Sequence, residues 1–181
     1  MGNLDPDSKD AITMHKQFKT LGKKKAEADT AYKSRQFTES VALYTEAIAL
    51  SPGGNPESTT GKGGGMHRAK LFFNSASASA NLQQHANVIS DCTRALRLDS
   101  NYVKAHTRRA ASSISLADEA SNGEDQSGAE RCCHEVIQDY EKAGELTSPT
   151  GQMQNEVTHK DIKKKVLAAK IQMKRAGEKD L

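Results

Sequence analysis

Large side chains are scarce in this sequence: there is no tryptophan, and aromatic residues make up only 4% of the 181 positions. A single thick globular core would be thinly supplied. A thin, layered stack of helices with an alanine-rich seam needs less. Long hydrophobic runs are missing as well, and none approaches the length required to span a bilayer, so no membrane association is expected. Cysteine is sparse and odd in number: Cys92, Cys132 and Cys133. Two of the three are adjacent, a poor arrangement for a mutual disulfide, and no signal peptide is evident. A reducing, cytoplasmic setting follows. Charge of one sign is not in marked excess, since a net +3 spread over 27% charged residues suits solvated helix faces of mixed sign. It does not make the basic patch that nucleic acid would demand.

The residues that are present read as helices. Asp5-Pro6 opens a long first helix, with Asp5 as N-cap and Pro6 at the first helical position. That helix is expected to reach about Ser34, interrupted only by Gly22, which weakens it by roughly 1 kcal/mol against alanine. Apolar residues at helical spacing then predict helices over about 38–50, 67–82, 85–98, 102–117, 129–146 and 155–176. The composition of GGNPESTTGKGGGM (53–66) and DEASNGEDQSG (118–128) predicts loops. No stretch alternates cleanly enough to be a strand.

Small residues recur in register. Ala28, Ala47 and Pro52 occupy positions eight, twenty-seven and thirty-two of a 34-residue helical-hairpin pattern, with Tyr44 at the large position twenty-four. Ala76, Ala95, Ser100 and Cys92 repeat the set, with Phe72 at position four. Ala110, Tyr140 and Ala143 give a third copy. Small residues at these positions let two antiparallel helices approach, and large ones at four and twenty-four fill the gap. Position twenty is looser, holding Ser40, Val88 and Val136. The first two copies lie 48 residues apart (Ala28 to Ala76) rather than 34, because of the glycine-rich loop. The third carries its insertion between its two helices. Both insertions fall at turns, where extra length is tolerated.

This register resembles the tetratricopeptide repeat. The resemblance implies an all-α fold: a right-handed superhelical stack of three hairpins, with a long N-terminal helix and a C-terminal capping helix. The division expected is an N-terminal helix at 1–20 (the tail of a preceding repeat), repeats at 21–54, 67–102 and 103–150, the loop at 55–66, the insertion at 118–128 and the cap at 155–177. In such stacks the first helix of each repeat lines a concave groove, through positions two, five, six and nine. Those positions hold Lys25 and Asp29 in the first repeat, Asn74 in the second, and Lys104 and Arg108 in the third. The set is similar to the two-carboxylate clamp of chaperone-binding tetratricopeptide domains, whose pattern is Lys, Asn, Asn, Lys, Arg. Those domains grip the acidic tail of Hsp70 or Hsp90, which ends Glu-Glu-Val-Asp. Lysine and arginine give charge-assisted bonds to carboxylates, and asparagine adds an amide donor. Asp29 departs from the pattern. A carboxylate there repels the ligand's own, and could instead pair with Lys25 or Arg108.

A closer resemblance is carried by LFFNSASA, ISDCTRALRLDSNYVKAHTRRA, DYEKA and the lysine-rich end KRAGEKDL. Together they look like the C-terminal repeat domain of co-chaperones of the DnaJ subfamily C member 7 type. That family implies a monomeric adaptor that is not an enzyme, needs no cofactor, and binds the C-terminal tail of Hsp70 and/or Hsp90. The chain reads as an excised domain of a larger protein. It holds no His-Pro-Asp triplet, so stimulation of the Hsp70 ATPase is not carried over. The alternative is a repeat scaffold for a different protein partner, its clamp altered by Asp29.

Other motifs are weak. GKGGG (61–65) lacks the spacing, the Ser or Thr and the preceding strand of a phosphate loop. Cys132-Cys133-His134 has no second pair of ligands spaced for a metal. Lys163-Lys164-Lys165 suits the solvated face of the cap helix. No nucleophile–base arrangement stands out among the six histidines.

Overall fold

The computed structural model describes residues 9–51, 65–120 and 126–146, together with residue 164. Among these residues every regular element is helical. The order is α1 (Lys9–Lys33), α2 (Phe37–Leu50), α3 (Gly65–Asn81), α4 (His85–Leu98), α5 (Val103–Ala120) and α6 (Gln126–Leu146). The helices pair as α1–α2, α3–α4 and α5–α6. Packing of α2 on α3 and of α4 on α5 links the pairs into one stack. Apart from residue 164, the cap expected at 155–177 lies outside the described residues, as do the side chains of Cys132, Cys133 and His134.

The alanine register explains the pairing. Ala28, Ala47, Ala76, Ala95, Ala110 and Ala143 are all fully buried. A methyl group is the only side chain that keeps the paired backbones close without a cavity, and overfilling such a site costs about 1–3 kcal/mol. Phe72, Tyr44 and Cys92 fill the wider gaps of a core that runs from Ala28 to Ala105. A second, smaller cluster of Ala110, Val136, Tyr140 and Ala143 belongs to the third hairpin. At the loose position twenty, Ser40 is buried because its hydroxyl donates to the Ala28 carbonyl across the hairpin at 3.0 Å.

The first two hairpins turn in the same way. The amide of Gln36 donates to the Ala31 carbonyl and that of Arg35 to Tyr32. Forty-eight residues on, Gln84 donates to Ser79 and Gln83 to Ala80. These are paired six-to-one and five-to-two closures of a Schellman turn. Arg35 and Gln83 accordingly sit at φ 62° and 57°, where glycine is the usual occupant. The end of α2 is closed by Ser51, whose amide and hydroxyl both donate to the Ile48 carbonyl.

Helix ends differ from expectation where the loops were read from composition. Helix α3 already starts at Gly65, inside the loop expected to 66. Helix α5 runs on to Ala120 and α6 begins at Gln126, both within the insertion expected at 118–128. Ala117, Glu119 and Ala120 are strong helix formers, and propensity carried α5 past its last apolar residue.

Candidate binding groove

The five residues singled out by register fall into two groups. In the first, Lys25 and Asp29 lie one turn apart on α1, and the Lys25 ammonium donates to Asp29 Oδ2 at 2.6 Å. The Tyr44 phenol reaches across from α2 and donates to Asp29 Oδ1 at 2.5 Å. Asn74 of α3 lines the same cleft as this phenol. Asp29, Tyr32, Lys33, Tyr44, Asn74 and Ser77 line a cleft of about 250 Å³. Partial burial alone would raise the Asp29 pKa. The bonds from Lys25 and Tyr44, with the more distant charge of Lys33, outweigh it and hold the carboxyl below its ordinary value. Burial and the Asp29 carboxylate push the Tyr44 phenol far up, so it stays a donor.

The second group is Lys104 and Arg108 on α5. Both line a cleft of about 620 Å³ with Phe73, Thr107 and Ala111. Among the described residues neither cation is paired with a carboxylate. The Arg108 guanidinium lies over the Phe73 ring, 4.9 Å from its centroid. That ring is itself packed at 5.0 Å on Tyr102. Stacking fixes the plane of the guanidinium while leaving its N–H edge available. Helix α3 joins the groups, since Phe73 faces one cleft and Asn74 the other.

Two supports escaped the sequence reading. Tyr44 stood only as a core filler, and its use as the Asp29 donor gave no signal at a separation of fifteen residues. Beneath α5, Asp139 of α6 is almost wholly buried. It accepts Arg109 Nε at 2.7 Å on one oxygen, with Arg109 Nη2 at 2.7 Å and His106 Nδ1 at 2.8 Å on the other. Arg109 also donates to Thr93 on α4 at 3.1 Å, and His106 Nε2 meets the Ser100 carbonyl at 3.0 Å. Burial would raise the Asp139 pKa, but Arg109 and His106 hold it below the usual carboxylate range. The network ties α4, α5 and α6 together under the helix that carries Lys104 and Arg108. Charged triplets of this kind belong to scaffold here. Among the described residues no group of three His, Cys, Asp or Glu side chains could hold a metal, and no helix is long and apolar enough to cross a membrane.

Three helical hairpins in this register, with first helices aligned on one wall, define the tetratricopeptide-repeat fold, and the chain has it. No known family profile matches the sequence. Relatives nevertheless do. The chain is 28% identical over 177 residues to mouse DnaJ homolog subfamily C member 7, covering 98% of this chain and 29% of the relative. It therefore spans less than a third of that protein. Among solved structures, the first repeat domain of Spaghetti (RPAP3), bound to the HSP90 peptide SRMEEVD, superposes with a TM-score of 0.56 at 25% identity, covering 82% of this chain and 91% of that one. The TPR2B domain of yeast Sti1, in a complex with an Hsp70 peptide, gives 0.58 at 20% identity, over 84% and 97%.

Proposed function

We propose that this domain is a co-chaperone adaptor that receives the acidic C-terminal tail of Hsp70 and/or Hsp90 in the wall formed by Lys25, Asp29, Asn74, Lys104 and Arg108. The observation that carries this reading is the pair of cations Lys104 and Arg108, which no carboxylate pairs among the described residues, with Arg108 stacked on Phe73 beside an open cleft. Similarity to DnaJ subfamily C member 7 and to a repeat domain holding SRMEEVD supports it. The module works by binding alone, as a cytoplasmic monomer without cofactor or nucleic acid.

The test is calorimetric titration of the 181-residue chain with SRMEEVD. Binding is expected to be salt-sensitive, because the contacts are charge-assisted and solvent-facing. Absence of binding at low salt would favour the second reading, a scaffold for a different protein. The Lys25–Asp29 pair is the feature that speaks for that reading, because it occupies one of the clamp's cations internally.

A further inference from the structure

The two clefts differ in what they can accept. Around Asn74 the polar groups are an amide, the Tyr32 and Tyr44 phenols, the Ser77 hydroxyl, the Lys33 ammonium and a carboxylate. The one lysine bonded there is already paired, at 2.6 Å, with that carboxylate. A ligand carboxylate drawn to Lys25 is also drawn to within a few ångströms of Asp29, and the attraction and repulsion nearly cancel. Lys33, exposed at the end of α1, also lines this cleft, and its charge likewise acts on Asp29. Asp29 accepts one bond on each oxygen, from Lys25 and from Tyr44. An ionised carboxylate offers about four acceptor sites, so it keeps capacity for a further donor. Around Lys104 and Arg108 the balance is reversed: two cations, a stacked guanidinium and no carboxylate among the described lining residues.

Resting on the adaptor reading, we infer that the groove is a one-carboxylate clamp: Lys104 and Arg108 seat a single carboxylate of the tail's last residue, and the Asp29–Asn74–Tyr44 cleft takes a neutral donor, an amide or hydroxyl, in place of a second. Acidic peptides whose final residue carries a neutral polar side chain beside its main-chain carboxylate are therefore accepted at least as well as the Asp-ended tail. Asp29 is the specificity-determining residue, and Lys25 with Tyr44 fixes it in place.

The experiment uses the full chain and two peptides, SRMEEVD and its variant ending in asparagine, titrated by calorimetry into the protein and into Asp29→Asn. The protein itself is expected to bind the asparagine-ended peptide as tightly as SRMEEVD or up to about tenfold more tightly. Asp29→Asn reverses the preference by at least about tenfold, because removing the carboxylate frees Lys25 for a second one. Amidating the asparagine-ended peptide removes the remaining terminal carboxylate and weakens it about tenfold or more against the unmodified protein. A tenfold preference of the unmodified protein for SRMEEVD overturns the inference, and so does an unchanged ratio in Asp29→Asn. If neither protein binds either peptide, the adaptor reading itself fails. A melting curve of Asp29→Asn superposed on that of the parent assigns the change to the groove.

Discussion

The two halves of the groove differ in register-matched basic side chains, Lys25 on α1 against Lys104 and Arg108 on α5, and they differ further in free charge. On α1, Lys25 is bound to Asp29, and Tyr44 donates to the carboxylate's other oxygen. On α5, Lys104 and Arg108 face a cleft with no acid among its described lining residues, and Asp139 of the same hairpin is turned inward to Arg109 and His106. Both hairpins contain a carboxylate held by a cation. In one it stands in the groove wall, and in the other it lies under it. Position relative to the wall, more than the count of charges, decides which half can hold an anion.

The largest way to break this contrast is to remove the buried acid. Asp139→Ala leaves Arg109 and His106 facing an empty site in low-dielectric surroundings, and uncompensated buried charge costs about 3–5 kcal/mol. Arg109 keeps partial access to water, with a side chain 26% exposed, so the lower end, about 3 kcal/mol, is expected. For a chain of this size that lowers Tm by roughly 6–12 °C. Differential scanning calorimetry reads the shift. Asp29→Ala, at the exposed wall, should move Tm by much less, and equal shifts would contradict the inside–outside distinction.

Binding should split in the same direction. Arg108→Ala or Lys104→Ala is expected to weaken SRMEEVD by roughly 10- to 100-fold, the loss of one charge-assisted contact of about 1.4–2.8 kcal/mol. Lys25→Ala is expected to cost less than about threefold, because it removes a cation already held by Asp29. It also frees Asp29 to repel, which is why the effect is not zero. A Lys25→Ala loss as large as that of Arg108→Ala would show the two halves to be equivalent.

Sequence and structure part company along the same line. The seam was legible because its condition is steric and repeats: Ala28, Ala76 and Ala110 must be small wherever paired backbones touch, and spacing alone reveals that. The wall was legible as a set of positions, since register brings Asn74, Lys104 and Arg108 onto first helices. What register does not encode is pairing between positions. Asp29 could have met Lys25 or Arg108, and it is the local one-turn contact with Lys25 that forms, aided by a phenol from α2. Asp139 and Arg109 are thirty residues apart across an insertion. No local pattern joins them, and DYEKA reads only as packing until α6 is laid against α5. The helix ends at Gly65 and Ala120 were missed for a different reason: loop composition was weighed above the helix propensity of single residues.

Acid should separate the two carboxylates. Each is depressed in the folded protein, Asp139 by Arg109 and His106 and Asp29 by Lys25 and Tyr44, against the opposing effect of burial. A depressed carboxyl adds stability above its unfolded value, about 3.9, and that contribution is lost as pH falls through the lower folded value. Urea unfolding between pH 2 and 6 should therefore show stability falling steeply below about pH 4. Asp139→Asn, though less stable throughout, should flatten that fall more than Asp29→Asn does, because Asp139 is only 4% exposed. Identical slopes in both variants would mean that the buried pair carries no more of the linkage than the wall pair.

The smallest effect isolates stability from groove chemistry. Arg35 and Gln83 close the first two hairpins at positive φ, where a side chain costs roughly 1 kcal/mol that glycine does not. Glycine also loses more entropy on folding, which offsets part of the gain. Gln83→Gly is therefore expected to raise stability by about 0.5–1 kcal/mol, a Tm increase of roughly 1–4 °C. Gln83 is exposed and makes no contact with either cleft, so the affinity for SRMEEVD should not change. The same substitution at Arg35 should give a similar gain, since the hydrogen bonds of the two turns are equivalent pair by pair. A change in affinity with either variant would mean that hairpin geometry, and not the free charge of each half, sets the binding of the tail.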